Sequence, residues 1–278
     1  MTSGVPVSDE SFLHMRHVSV SLGDRLVLHD LSLSIRVGEH IAILGPNGCG
    51  KSTLIRTLNC ELYPLVRPGT ELRIFERPRW DLTQLRRHFG IVSDNLPGYQ
   101  GYSRTADTAG CLTARTTGLD ATLAGFFAAS TLWPHLEITD SMREAAHEAL
   151  ARIDATHFAH RFVGEMSAGE KRRILIARAL VHRPRQLLFD EPSNALDIAA
   201  QRDLREVLRR LANDGTGIIL VTHHLADILP EIDRVLLMRD GHILADGPRT
   251  QLLTAPMLSE LFRTEVRVGQ DGEWLHTW

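Results

Sequence analysis

Apolar and polar residues alternate from Phe12 to Ser21, with Val18 and Val20 set against His17 and Ser19, and again from Leu31 to Val37. A period of two predicts half-buried strands. Gly23-Asp24 offers a turn between them, so an antiparallel pair is expected. Ile41-Ala42-Ile43-Leu44 is apolar throughout, which predicts a short strand buried on both faces. Thr53 to Leu58 then reads as a helix start, and Pro64, Pro68 and Gly69 end it. Thr70 to Phe75 predicts a strand, Asp81 to His88 a helix, and Phe89 to Ser93 a strand. From Asp94 to Asp120 the chain is rich in Gly and Thr and poor in aliphatics, so a mobile segment is expected there.

Ser141 to Ile153 puts Ala145, Ala146, Ala149, Leu150 and Ile153 on one helical face, with Ser141 and Glu144 at capping-box spacing. Lys171 to Val181 predicts a second helix, preceded by Ser167 and Glu170 at the same spacing. Gln186 to Phe189 and Ile218 to Thr222 are apolar runs. Between them Ile198, Leu204, Val207, Leu208 and Leu211 are expected to form the buried face of a helix. Strand, helix and strand in this order predict a parallel sheet covered on both faces. Val235 to Met238, Asp240-Gly241 and His242 to Leu244 predict a hairpin. Residues 265–268 and 274–276 are expected to pair around Asp271-Gly272.

The 278 residues are 43% hydrophobic, enough for a sizeable core. The formal net charge is only -3, from 31 basic and 34 acidic residues, so composition makes no electrostatic case for nucleic acid or an anionic membrane. Cys49, Cys60 and Cys111 have no metal-binding spacing and suit a reducing compartment. Met1 to Glu10 lacks an apolar core, so no signal peptide is expected. No stretch approaches the ~20 apolar residues that span a bilayer. Any membrane part must come from another chain.

Chemistry concentrates first at Gly45-Pro46-Asn47-Gly48-Cys49-Gly50-Lys51-Ser52-Thr53. This fills every fixed position of the phosphate-binding loop, between a predicted strand and a predicted helix. Glycines allow successive N–H groups to face phosphate oxygens, and the helix start adds partial positive charge. Lys51 is expected to reach the β- and γ-phosphates and Ser52 to hold magnesium. The Leu187-Leu188-Phe189 strand ends in Asp190 and Glu191. Asp190 is a metal candidate and Glu191 a general base for the attacking water. Ser167, Ala168, Gly169 and Glu170 open a strong helix, a second place where an anion could bind.

These elements together resemble the nucleotide-binding subunit of the ATP-binding cassette (ABC) family. Met166-Ser167-Ala168-Gly169-Glu170 is similar to its signature stretch, with Ser167 and Gly169 matching. Ser193-Asn194-Ala195-Leu196-Asp197 is similar to its D-loop, and Leu220-Val221-Thr222-His223 to its switch histidine. The resemblance implies an α/β phosphate-loop NTPase core with a mixed, mainly parallel sheet, an N-terminal antiparallel β subdomain and a helical signature subdomain. One cassette is expected over 1–278: a nucleotide-binding core at about 12–93 and 186–262, a helical subdomain at about 94–185 and a tail at 263–278. It implies an ATPase with magnesium, working as a homodimer or heterodimer. The Lys51 loop of one subunit would face Ser167 and Gly169 of the other, and His223 would contact the γ-phosphate. The expected place is the cytoplasm, peripheral to a membrane and driving separate integral subunits. The segment from Asp94 to Leu136 would face that partner. No direct contact with nucleic acid is expected.

Three residues depart from the family pattern. Leu22 stands in the stretch where an aromatic residue often stacks on adenine, which predicts weak base discrimination. Asp94 stands where a glutamine is expected, with a shorter arm and a full charge for reaching magnesium, and this puts coupling to a membrane partner in question. Cys49 lies inside the phosphate loop. Its helix start could lower the thiol pKa and let ATP shield it from thiol reagents, against the simpler reading that it fills space. The alternative function is a soluble ABC-type ATPase that remodels a macromolecule. One nucleotide site per chain and the absence of a basic arm weigh against it. The Asp190-Glu191 pair and the signature stretch weigh against a phosphate-loop kinase.

Overall fold

The computed structural model describes residues 10–93, 115–129, 132 and 135–278. In chain order the elements are β1 (Ser11–Leu22), β2 (Arg25–Arg36), β3 (Ile41–Leu44), α1 (Lys51–Leu58), β4 (Glu71–Ile74), α2 (Leu82–His88), β5 (Phe89–Val92), α3 (Gly118–Leu123), α4 (Asp140–Arg152), α5 (Ala168–Leu180), β6 (Gln186–Asp190), α6 (Ile198–Asn213), β7 (Gly217–Thr222), β8 (Arg234–Arg239), β9 (His242–Pro248), α7 (Arg249–Leu252), α8 (Ala255–Phe262), β10 (Val268–Asp271) and β11 (Trp274–Thr277). They fall into two compact units. The first comprises the chain up to Leu82 with Leu188–Glu191 and Leu208–Trp278, and the second comprises Thr83–Leu187 and Pro192–Val207.

In the first unit β1 lies between β2 and β4, antiparallel to both. A second sheet runs β6-β7-β3-β8-β9. Its central strand β3 is parallel to β7 and β8, and β9 returns antiparallel to β8. Ile41 to Leu44, Ile218 to Leu220 and Val235 to Met238 are all wholly buried. That is why these strands carry continuous apolar runs and not alternation: neither face meets water. The Asp240-Gly241 turn has φ of 50° and 77° at its two residues, the left-handed pair that matches the twist of a two-residue hairpin. The C-terminal hairpin pairs Val268 with Thr277 and Asp271 with Trp274.

The second unit is built on α3, α4 and α5. Its sequence reading needs three corrections. Gly118 to Asp120 belong to α3, not to a loop, and Thr117 caps the helix by accepting from Asp120 N. Gly118 is there because a Cβ would run into Phe158 O, and Ile174 Cδ1 would lie 3.1 Å away. Residues 94–114 of the Gly- and Thr-rich segment lie outside the described residues. The cap of α4 is Thr139, whose side chain accepts from Met142 N, and Ser141 is already the second residue of the helix. Ile198 is 86% exposed, whereas Leu204, Val207, Leu208 and Leu211 are at most 4% exposed. Six residues at 100° each put Ile198 far round the helix from Leu204.

Candidate functional site

The phosphate loop leaves the wholly buried β3 at Gly45 and enters α1 at Lys51. Gly50 is the N-cap with φ of 108°, and Gly48 has φ of 78°, conformations that a side chain would strain. A Cβ on Gly45 would meet Met238 O and Cys49 Sγ, and one on Gly50 would lie 2.8 Å from Leu28 Cδ2. The loop is anchored from outside: Gly241 N donates to Cys49 O at 2.9 Å, and His29 N donates to Gly241 O at 2.9 Å. The turn of the β8–β9 hairpin therefore sets the height of the loop backbone.

Lys51 is 5% exposed. Its ammonium donates to Gly45 O at 2.7 Å and Pro46 O at 3.1 Å, and lies 3.7 Å from Glu191 Oε1. Asn47, Gly48 and Ser52 are exposed at the mouth, while Cys49, Gly50 and Thr53 are buried below it. Pro46 is half-buried between the two sets. The Cys49 thiol is pushed up by burial, with the Lys51 charge opposing only in part. Of the two readings of Cys49, this favours the space-filling group over the activated thiol, because burial outweighs the helix start.

Asp190 ends β6 and Glu191 follows with φ of 45°, a left-handed conformation uncommon for a residue with a side chain. Its N–H donates to Val221 O at 2.8 Å, which ties this bend to β7. His223, just past the end of β7, places Nδ1 3.0 Å from Glu191 Oε1. One carboxylate oxygen thus faces both an imidazole and an ammonium. The His224 ring rests on the His223 ring with centroids 3.9 Å apart. Lys51, Asp190, Glu191 and His223 all belong to the first unit. Leu22, at the β1–β2 turn of the same unit, is 40% exposed.

Ser167 and Gly169 belong to the second unit. The anticipated capping box is present at α5: Glu170 N donates to Ser167 Oγ at 3.3 Å, and Ser167 N to Glu170 Oε2 at 2.7 Å. Arg161 Nη1 donates to Glu170 Oε1 at 2.7 Å. Burial alone would raise the Glu170 pKa, but the Ser167 N–H and Arg161 together hold it below the usual carboxylate range. Ser167 and Ala168 are exposed, so the start of α5 opens to solvent. A Cβ on Gly169 would lie 2.9 Å from Ala200 Cβ. Asp94 lies outside the described residues.

The donor set matches the group it is asked to hold. Ser52 brings an exposed hydroxyl and Asp190 a carboxylate, the hard oxygen ligands that magnesium takes alongside phosphate and water. The glycine-lined loop is a cradle that added Cβ atoms would fill. Two features were missed in the sequence reading. One is Lys51 folded back onto loop carbonyls. The other is a buried carboxylate, Asp227, behind the histidine turn; the spacing Thr222-His223-His224-x-x-Asp227 was the available signal.

The family model described as ABC transporter matches residues 28–194. The chain is 32% identical over 270 residues to the hemin import ATP-binding protein HmuV of Thermobifida fusca, covering 96% of this chain and 86% of that one. It is 27% identical over 274 residues to the phosphonates import ATP-binding protein PhnC of Escherichia coli O6:H1, covering 95% and 99%. The solved structure of cbiO1 from Clostridium perfringens, part of an ABC transporter complex, superposes with a TM-score of 0.72 at 24% identity, covering 91% of this chain and 94% of that one. A dimeric, post-hydrolysis ATP-binding cassette bound to ADP and Pi superposes with a TM-score of 0.66 at 25% identity, covering 85% and 98%.

Proposed function

The chain belongs to the ABC transporter family as an ATP-binding subunit, and on that premise we propose that it hydrolyses ATP to drive an importer whose membrane path is supplied by separate permease subunits. The observation that carries hydrolysis is the meeting of Glu191, His223 and Lys51 beside the glycine-lined loop. Gly45 to Thr53 cradle the triphosphate through backbone N–H groups, and Lys51 leaves its carbonyl partners to meet the β- and γ-phosphates. Glu191 takes the proton of the attacking water as general base. His223 orients Glu191 and contacts the γ-phosphate. Magnesium held by Ser52 and Asp190 would neutralise charge on the phosphates.

Two cassettes assemble head to tail, so that Ser167 and Gly169 of one close over the phosphate loop of the other. The exposed start of α5 supports this, as does the dimeric form of the cassette bound to ADP and Pi. Import is supported by the names of the relatives, which carry hemin in one case and phosphonates in another. Cargo is therefore selected by partner subunits and not by the cassette. Residues 1–278 act as one cassette, with 94–185 as the helical subdomain, and Asp94 to Leu136 face the permease at the cytoplasmic side. Among the described residues no helix is long and apolar enough to cross a membrane.

The test is capture with Glu191→Gln in excess ATP. Without the base, the closed dimer should persist and bring integral membrane subunits with it. A variant that stays monomeric at saturating ATP, or brings down ribosomes or nucleic acid instead, would overturn the proposal.

A further inference from the structure

Strand β7 ends in Thr222, a wholly buried residue. A buried hydroxyl is stable only with partners. This one donates to Asp227 Oδ2 at 2.7 Å and accepts from His224 N at 3.0 Å. Asp227 closes the short turn Leu225–Asp227, is 5% exposed, and its N–H donates to His224 O at 3.3 Å. The residues on either side of His223 are therefore tied to a single hydroxyl, which Asp227 holds from behind. Burying a carboxylate here is costly, whereas an aliphatic side chain would fill the space at no electrostatic cost.

The turn is also braced from outside. Leu225, Ile228 and Leu229 are buried, and β11 packs against Leu225–Asp227. Arg209 Nε donates to Glu231 Oε1 at 2.7 Å, and its guanidinium carbon lies 5.8 Å from the centre of the Trp274 ring. With the backbone held on both sides, the His223 ring is presented to Glu191 Oε1 at 3.0 Å.

We propose that Asp227 is a positioning residue for His223, acting through the Thr222 hydroxyl; this rests on the ATPase reading above. It touches neither nucleotide nor the attacking water. Its effect reaches turnover only through the direction in which His223 points.

The test is a set of mutant cycles on ATP turnover. Asp227→Ala and Thr222→Val are each measured alone and with His223→Ala, and Thr222→Ser keeps the hydroxyl. We expect Asp227→Ala and Thr222→Val to lower kcat about 10- to 100-fold with KM for ATP changed less than about twofold. Thr222→Ser should stay near wild type. Neither substitution should lower kcat further once His223 is Ala, because the group they position is gone. Equal fractional losses in both backgrounds, or no loss in the wild-type background, would overturn the proposal. Should Asp227→Ala fail to fold, the nearly isosteric Thr222→Val decides by the same criteria. If His223→Ala left turnover intact, the ATPase-site reading would fall, and this proposal with it.

Discussion

Nδ1 of His223 stands 3.0 Å from Oε1 of Glu191, and both side chains are about three-quarters buried. The same oxygen lies 3.7 Å from the Lys51 ammonium, so imidazole and ammonium share one side of the carboxylate. Replacing Glu191 by Gln keeps the shape and removes the proposed base. Steady-state turnover should fall about 10²- to 10⁴-fold while nucleotide affinity is retained. A loss below about tenfold would assign the base elsewhere.

Leu22 is 40% exposed at the first hairpin turn, and on the proposed function it would offer the nucleobase an aliphatic contact in place of a ring. Stacking on an aromatic face is worth about 1–3 kcal/mol per base. Leu22→Tyr should therefore tighten ATP binding about 5- to 150-fold by equilibrium titration. The wild type should prefer ATP over GTP by less than about a hundredfold. A larger preference would place the base on another part of the surface.

Gly241 joins the β8–β9 turn to the phosphate loop through its N–H to Cys49 O. Its φ is 77°, and a Cβ would run into Val27 O and His29 Cδ2. Gly241→Ala should destabilise the fold by about 2–4 kcal/mol in denaturant titrations and weaken ATP binding with it. Unchanged affinity in a destabilised variant would mean that the loop keeps its shape without this anchor.

Glu170 is held ionised by the Ser167 N–H and Arg161. Its folded pKa lies below the unfolded one, so its charge contributes stability above the ordinary Glu range, and that contribution is lost as pH falls through the folded value. Glu170→Gln should lower Tm at neutral pH, and the gap to wild type should close on acidification below about pH 4. A gap independent of pH would show that the hydrogen bond matters and the charge does not.

Burial raises the Cys49 pKa, so the thiol stays protonated at neutral pH and ionises only above its ordinary range. The sign is opposite to that of Glu170: stability linked to Cys49 is present below the unfolded thiol pKa and lost as pH rises through the folded one. In a chain lacking Cys60 and Cys111, alkylation should be slow at pH 7 with or without ATP. Rapid labelling at pH 7 that ATP suppresses would restore the expectation of an activated thiol.

Parts of both units were legible because their signals are local. The run Ile41 to Leu44 followed by the glycine loop needs only strand burial and helix-start electrostatics, and Ser167 with Glu170 forms the box its spacing implied. Misreadings arose where two local rules competed. Thr139 and Ser141 both satisfy a capping preference, and only the backbone chooses between them. Thr117 and Gly118 look like loop residues until Phe158 is seen occupying the space a side chain would need. At Cys49 two readings stood side by side, and burial, a non-local effect, favours the space-filling one. The Thr222 to Asp227 clamp was missed because buried polar pairs leave no periodic trace.

The closing hairpin, with β11 against Leu225–Asp227 and Arg209 over Trp274, puts the chain's final strand directly behind the histidine turn. Substitutions at Trp274 or its strand neighbours are therefore expected to disturb the backbone that carries His223, although they lie far from it along the chain.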